Sequence, residues 1–371
     1  MVRRLEVSAK ANNDSYLVSH TSKPPGAAAA EVGSLFHGME PESLILGPPN
    51  RSSISGTRTK TGGMTSGKVL HFEEGKMLSQ LSSWGIGGPA RYFAVASDEE
   101  TLRHILRYAY ENRIQVLIVG KGSNCLFDDR GFDGLVVSNK IRDLQEYPSG
   151  VFRAGGGIPV DALGRHTARR GWGGLEFASG IPGTVGGAVF MNAGANGQAT
   201  ADTLLSVEYL TKRGEKRILH RDSGELDCGY RWSPFQDMPD LAAITAATFE
   251  LHRNADAGAR VRQLMERRLE TQPVRERSAG CVFRNPSEQG APSAGALIDR
   301  AGLKGLSCGG ASVSEMHANF LVNRGGNHTS ASEVLALIEA VKEKILEESG
   351  YELQEEIRQI PFQLPESGDD R

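Results

Sequence analysis

Gly180-Ile-Pro-Gly-Thr-Val-Gly-Gly-Ala-Val-Phe-Met-Asn-Ala-Gly-Ala195 is the stretch on which the reading of this chain turns. Its glycines strip side chains from the backbone, so several N–H groups can converge on a phosphate that a Cβ would hold off. Gly180, Ile181, Pro182, Gly183, Thr184, Gly187, Asn192 and Ala193 are its candidate contacts, with Thr184 and Asn192 able to add side-chain hydrogen bonds. Working outward, a second glycine loop lies upstream, directly after the apolar strand expected at Gln115–Val119. It offers Gly120, Lys121, Gly122, Ser123 and Asn124. Two such loops suit a dinucleotide gripped from two sides. Neither is a Rossmann fingerprint, because no acidic residue follows a G-x-G-x-x-G at the required distance. Trp84-Gly-Ile-Gly-Gly-Pro-Ala90 is a third glycine-rich segment; any one of the three alone reads equally as a plain turn.

The glycines stand out in the whole chain too. They number 45 of 371 residues, against a usual share of about 7%. At roughly 150 residues per domain the length allows two cores and a remainder, so no disulfide or metal staple is needed. A net charge of −3 gives no electrostatic case for nucleic acid or an anionic membrane as partner. Cys125, Cys228, Cys281 and Cys308 form no C-x-x-C pair and no zinc-spaced cluster, which reads as free thiols of a reducing compartment. No apolar run approaches the ~18 residues of a membrane span. A soluble, monomeric, intracellular protein is expected.

Residues 1–67 hold 10 Ser, 5 Thr, 8 Gly and 5 Pro and show no persistent period. They read as a disordered leader, with order beginning near Met77. The leader, 1–76, is either an organelle transit peptide or a dispensable tail; its acidic residues weaken the first reading. A phosphate-loop spacing at Gly62 to Gly67-Lys68 fails, because Val69 stands where a Mg²⁺-binding hydroxyl is required. Beyond it, Ser97-Asp-Glu-Glu100 is a capping-box pattern opening a helix with Leu102, Ile105, Leu106 and Ala109 on one face. Strands are expected at Gly134–Val137, Val151–Ala154, Leu205–Leu210 and Ala242–Leu251. Helices are expected over Val261–Thr271 and from Ser330 or Ser332 to a stop at Gly350. The pattern is mixed α and β, with a first domain at 77–253, a second at 254–364 and a disordered tail at 365–371.

Three later segments concentrate polar chemistry. Gly229-Tyr-Arg-Trp-Ser-Pro-Phe235 surrounds Arg231 with aromatic residues, a setting for a partly desolvated guanidinium facing an anion. Ser278-Ala-Gly-Cys-Val-Phe-Arg-Asn-Pro286 places the Cys281 thiol after a glycine. Gln354-Glu-Glu-Ile-Arg358 sets Glu356 two residues from Arg358, on one side of a strand. Spacing alone leaves the ordinary alternatives open: an exposed arginine, an inert cysteine, a surface ion pair.

These segments, in this order, resemble the UDP-N-acetylenolpyruvoylglucosamine reductase family. The likeness runs from about Leu81 to Phe362, through W-G-I-G-G-P-A, G-K-G-S-N, the 180–195 run, Y-R-W-S-P-F, A-G-C-V-F-R-N-P, H-A-N-F-L-V-N at 317–323 and E-I-R. The sequence looks like the shorter type of the family, and its G-K-G-S-N-C-L-F-D-D stretch like the versions of green plants. That would place it in the plastid stroma if the leader is a transit peptide, and in the cytoplasm if the chain is bacterial. The resemblance implies an α+β fold. Its first part would be an FAD-binding domain of the vanillyl-alcohol-oxidase type, in two α/β subdomains, with a C-terminal substrate domain beside it. It implies non-covalent FAD, NADPH as hydride donor, and UDP-N-acetylglucosamine enolpyruvate as the substrate reduced to UDP-N-acetylmuramate in peptidoglycan precursor synthesis.

By the same resemblance, hydride passes from flavin N5 to the enolpyruvyl β-carbon, Arg231 and Glu356 stabilise the charge that builds up, and Cys281 gives a proton to the α-carbon. Many family members carry serine at that position. A thiol is the stronger acid, at the cost of oxidation if Arg231 draws its pKa down. Tyr230, Asn285 and Arg358 match substrate contacts, while His317 and Asn319 match a motif whose role is as readily structural. The rivals are an FAD-dependent oxidase of the same fold and an inactive flavin- or nucleotide-sugar-binding protein.

Overall fold

The computed structural model describes residues 59–65 and 68–363. The expected leader up to residue 58 and the tail at 365–371 lie outside the described residues. A first mixed sheet is built from β1 (Thr59–Thr65), β2 (Lys68–Met77), β3 (Pro89–Ala96), β4 (Val116–Val119) and, after the short β5 (Cys125–Phe127), β6 (Phe132–Asn139). Its order is β1-β2-β3-β6-β4, with β6 parallel to both β3 and β4. Strands β1 and β2 fall where the sequence reading put a disordered leader through residue 76. The reason is β2 itself: Leu70 and Phe72 alternate into the core, beside Ala94 of β3 and Tyr108 of α1 (Glu99–Glu111).

The face of α1 is the expected one, with Leu102, Ile105, Leu106 and Ala109 all buried. Its cap is one residue later than the capping-box reading: Asp98, not Ser97, accepts the Thr101 N–H at 2.7 Å. A second, wholly antiparallel sheet follows. It comprises β7 (Leu144–Glu146), β8 (Val151–Gly155), and, after the two-residue pieces β9 (Trp172–Gly173), β10 (Gly194–Ala195) and β11 (Gln198–Ala199), the strands β12 (Leu204–Thr211), β13 (Lys216–His220) and β14 (Leu241–Glu250). Its order is β13-β12-β14-β8-β7. Helices α2 (Val160–Arg169) and α3 (Val185–Phe190) lie between its strands in sequence and share its core.

After β15 (His252–Arg253) comes α4 (Ala257–Thr271), whose Ala257 and Val261 pack with Ala168 of α2. Helix α4 therefore leans on the first part of the chain, although it follows the boundary expected at 253. The remainder holds α5 (Ala294–Arg300), a small sheet of β16 (Ser307–Cys308), β17 (Ala311–Val313) and β18 (Leu321–Asn323), and α6 (Ala331–Ser349). Ser330 and Glu333 form the capping box of α6, Gly350 ends it in the left-handed region, and Val334, Leu337, Ile338, Val341 and Ile345 are buried. Each such side chain contributes roughly 1.5–3 kcal/mol by leaving water.

Two features tie this C-terminal core to the first sheet. Trp84, Ile86 and Leu126 from the N-terminal half are buried within it. Trp84 Nε1 donates to the Leu321 carbonyl at 2.8 Å, and Asn323 Nδ2 donates to the Trp84 carbonyl at 2.8 Å. The final strand, β19 (Arg358–Ile360), then pairs in parallel with β5, setting Arg358 opposite Cys125. No helix among the described residues is long and apolar enough to cross a membrane.

Candidate active site

The two glycine loops, distant in sequence, are in direct contact. Ser123 Oγ donates to the Pro182 carbonyl at 2.9 Å, and a Cβ on Gly120 would collide with Thr184 Oγ1. Gly122 is held at φ +60, where its missing Cβ would strike the Leu81 carbonyl. Gly122→Ala is therefore expected to cost more than about 2 kcal/mol, the left-handed strain plus the clash, read as a lower unfolding midpoint. Together the loops line a cavity of about 900 Å³ that also reaches Arg231, Cys281, Glu356 and Arg358. Residues from five separate stretches of sequence thus face one space.

The structure gives several of the expected side chains another task. Thr184 caps α3 by accepting the Gly187 N–H. Lys121 Nζ pairs with Asp161 at 3.2 Å on the cavity wall. Asn192, expected to contact cofactor, is 6% exposed and turned into the protein. Its Oδ1 accepts from Ala201 N at 3.0 Å and its Nδ2 donates to the Gly229 carbonyl at 2.8 Å. Asn124 Nδ2 donates to the Glu356 carbonyl at 3.1 Å, and the Asn124 carbonyl accepts from Arg358 N at 2.9 Å. Those asparagines fix the backbone beside Arg231 and at Glu356.

Arg231 sits at φ +55, a conformation that costs a non-glycine residue of order 1–2 kcal/mol. Three hydrogen bonds hold it there. Gly229 N and the Trp232 carbonyl close a tight turn at 3.1 Å, Asn192 grips Gly229, and Gln236 Nε2 donates to the Arg231 carbonyl at 3.0 Å. The guanidinium then donates through Nε to Glu356 Oε1 at 2.7 Å. Burial raises the Glu356 pKa, while Arg231 and Arg284 pull it back down.

Cys281 follows Gly280, at φ +80, and bridges Phe320 as an isolated β-pair. Burial first, and the Glu356 charge second, push its thiol up to about 12, against the opposing pull of Arg231 and Arg268. The downward drift foreseen as an oxidation risk is thus outweighed by desolvation. Asn319 is the clamp beside it: its Oδ1 accepts from Phe283 N at 2.9 Å and its Nδ2 donates to the Phe283 carbonyl at 2.8 Å. Its motif reads here as structural, and Asn319→Ala should cost about 2–4 kcal/mol by orphaning two buried backbone groups. A thermal melt checks this. His317 lines the cavity with a pKa lowered by burial, its Nδ1 accepting from Asn319 N at 3.2 Å.

Of the expected substrate contacts, Arg358 faces the cavity, with its guanidinium 4.6 Å from the Phe190 ring centroid. Tyr230 and Asn285 are not part of that wall. They meet each other instead, Asn285 N donating to Tyr230 Oη at 3.4 Å, and the Tyr230 ring lies 5.0 Å from the Arg231 guanidinium. Asn285 Oδ1 accepts from Ala294 N at 3.1 Å, at the start of α5. Arg268 of α4 and Gln272, the residue just after that helix, line the cavity and went unnoticed in the sequence. They sit in a run of charged residues that reads as a solvated helix face.

Comparison with known proteins shows the family. Residues 90–219 match the family described as FAD binding domain, and residues 272–360 match UDP-N-acetylenolpyruvoylglucosamine reductase, C-terminal domain. The UDP-N-acetylenolpyruvoylglucosamine reductase of Protochlamydia amoebophila is 46% identical over 78% of this chain and 93% of its own length. That of Chlamydia felis is 43% identical over 81% of this chain and 100% of its own. The crystal structure of the Thermus caldophilus reductase, 30% identical, superposes with a TM-score of 0.65, covering 82% of this chain and all of that one. With glycine loops, arginine, thiol and carboxylate converging on one cavity and these relatives matched nearly end to end, the chain belongs to the UDP-N-acetylenolpyruvoylglucosamine reductase family.

Proposed function

We propose that this protein uses NADPH and non-covalent FAD to reduce UDP-N-acetylglucosamine enolpyruvate to UDP-N-acetylmuramate, a step of peptidoglycan precursor synthesis. The observation that carries the reading is the convergence of Arg231, Cys281 and Glu356 at the cavity built by both glycine loops. That cavity fits FAD: its volume is about 900 Å³, and its loops are glycine where a side chain would collide with the opposite loop. The Gly120–Asn124 and Gly180–Ala193 backbones would hold the pyrophosphate. When bound, FAD supplies the two-electron carrier between NADPH and the enolpyruvyl double bond.

The protein's own part is electrostatic and protic. Reduction of the β-carbon sends negative charge toward the α-carbon and carboxylate of the substrate. Arg231 presents a fixed guanidinium to that charge, aimed by its bond to Glu356. Preorganised donors of this kind contribute about 3–4 kcal/mol. Cys281 then donates its proton to the α-carbon, and the thiolate recovers one from solvent before the next turnover. Arg358 and Tyr230, with Asn285 behind the tyrosine, would contact the substrate. Every residue so used comes from one copy of the chain, so a monomer suffices.

The test is made on the full-length protein under anaerobic conditions. Flavin absorbance with loss of NADPH that depends on UDP-N-acetylglucosamine enolpyruvate is the expected result. Oxygen uptake with indifference to the sugar nucleotide would replace it by an oxidase. A colourless protein that FAD cannot reconstitute would overturn the cofactor reading itself.

A further inference from the structure

Beside the main cavity lies a second, polar one of about 350 Å³, which shares Phe190, Gln236, Glu356 and Arg358 with it and adds Arg284. A short antiparallel pairing brings Arg284 there. Phe283 and Glu355 face each other as an isolated bridge, Arg284 N donates to the Gln354 carbonyl at 2.8 Å, and Glu356 N donates to the Val282 carbonyl at 2.7 Å. Side chains alternate along each segment, so Arg284 and Glu356, each one residue beyond the bridge, share a face. They are diagonal neighbours, about 7–8 Å apart at Cα and within reach of a long side chain.

Charges around this second cavity are unevenly matched. Glu355 is taken by Gln359 Nε2 at 2.7 Å and by Lys342 of α6 at 3.6 Å, and Asp237 accepts from Trp232 Nε1 at 2.8 Å. Arg284 has no such partner among the described residues, and its Nε is buried without a hydrogen bond. A cation so placed is costly unless an anion stands near. The anion that strand register brings to it is Glu356, whose Oε1 already accepts from Arg231 Nε at 2.7 Å. Burial raises the Glu356 pKa, and Arg231 and Arg284 both pull it back.

On the reading of Arg231 as the group that meets the substrate's charge, we infer that Arg284 is a positioning residue: across the second cavity it keeps Glu356 an anion, and an anionic Glu356 keeps Arg231 aimed. The bond from Arg231 Nε is charge-assisted only while Glu356 is ionised, and such bonds are roughly twice as strong as neutral ones. Arg231 depends on that strength, because its backbone sits at φ +55 and Glu356 is its one carboxylate partner among the described residues. Of the other groups around Glu356, the Cys281 thiol stays neutral, pushed up to about 12 mainly by burial. Arg358 stays a cation, Glu355 and Asp237 are held by the partners above, and His317 and Arg268 line only the main cavity.

The first test needs no turnover. Full-length protein carrying carboxyl-labelled glutamate, with FAD added, is titrated by infrared difference spectroscopy, the Glu356 band being identified by its loss in Glu356→Gln. Removing a cation that holds a carboxyl pKa down lets it rise, so Arg284→Met should move the Glu356 midpoint up by about one pH unit. Arg284→Lys should stay near wild type. An unmoved midpoint in Arg284→Met overturns the inference.

The second test separates action through Glu356 from action on the substrate or the fold. Single-turnover reduction of UDP-N-acetylglucosamine enolpyruvate by pre-reduced protein should slow as pH falls and Glu356 takes a proton. In Arg284→Met that acid limb should lie about one pH unit higher, with the plateau regained above it. In a Glu356→Gln background Arg284→Met should cause no further loss. An equal loss in both backgrounds overturns the inference. Failure of wild type to reduce the sugar nucleotide would instead remove the proposed reaction, and the infrared midpoint would still decide whether Arg284 governs Glu356.

Discussion

Arg231→Met is expected to slow reduction of the enolpyruvyl group by about 10²–10³-fold while FAD stays bound. The side chain is a cation whose position is set by three separate supports. A tight turn at Gly229 shapes its backbone, Asn192 and Gln236 hold that turn, and Glu356 takes its Nε–H at 2.7 Å. Because Nε is committed to Glu356, the terminal nitrogens would remain for the substrate carboxylate under the proposed mechanism. Methionine has similar length and, like arginine, is a non-glycine residue at φ +55, so the backbone strain is the same in both proteins. Arg231→Lys keeps the charge but loses the fork that serves carboxylate and Glu356 together, so it should recover only a part. Single-turnover kinetics with pre-reduced protein isolate this step. Unchanged rates in Arg231→Met would remove Arg231 from the mechanism.

Cys281→Ala is the second large effect. Loss of a positioned proton donor costs about 10²–10⁴-fold in the protonation step, whereas Cys281→Ser should retain substantial activity. The pH profile sharpens the argument. An unperturbed thiol, with a pKa of about 8.5, would be half ionised in mild alkali and the rate would fall there. In this protein burial pushes the Cys281 thiol up to about 12. It therefore keeps its proton as pH rises from neutrality through 9, and the rate should not decline on its account. The same shift starves alkylating reagents of thiolate, so iodoacetamide should label Cys281 more slowly than an ordinary thiol. A rate that falls through pH 8.5 in wild type but not in Cys281→Ser would sink the pKa argument. A Cys281→Ala enzyme with normal turnover would sink the proton donor.

The parts of this fold that showed in the sequence are those in which neighbours in the chain are also the physical partners. Helix α6 announces itself through Ser330, Glu333, a stripe of aliphatic residues and Gly350, all within its own length. The glycine loops show for a similar reason: their lack of side chains is local, whatever the ligand. Strand β2 did not show, because among its described side chains only Leu70 and Phe72 alternate inward, and they stand beside a Ser-, Thr- and Gly-rich segment that reads as unstructured. Asn124, Asn192 and Asn319 were expected at ligands or left open, since nothing in a spacing tells a carboxamide facing a cofactor from one facing a distant backbone. Arg268 and Gln272 were hidden by Arg262, Glu266, Arg267 and Glu270, which make α4 look solvated on all sides. The trio Arg231, Cys281 and Glu356 proposed to act on substrate became legible through resemblance, not through geometry.

The pairing of β19 with β5 has a consequence for how the protein is made. Glu356 and Arg358 are stitched to Asn124 across more than 230 residues of chain. On a ribosome, both glycine loops emerge and can fold long before that last strand is released. Until residues 279–357 are released, the surfaces that Trp84, Ile86 and Leu126 contribute to the C-terminal core lack their covering partners. Such late, long-range closure is slow and leaves apolar surface exposed meanwhile. A prematurely terminated product would carry both glycine loops without the carboxylate or the second arginine. A product ending before Ala279 would in addition leave Trp84 without the core that covers it.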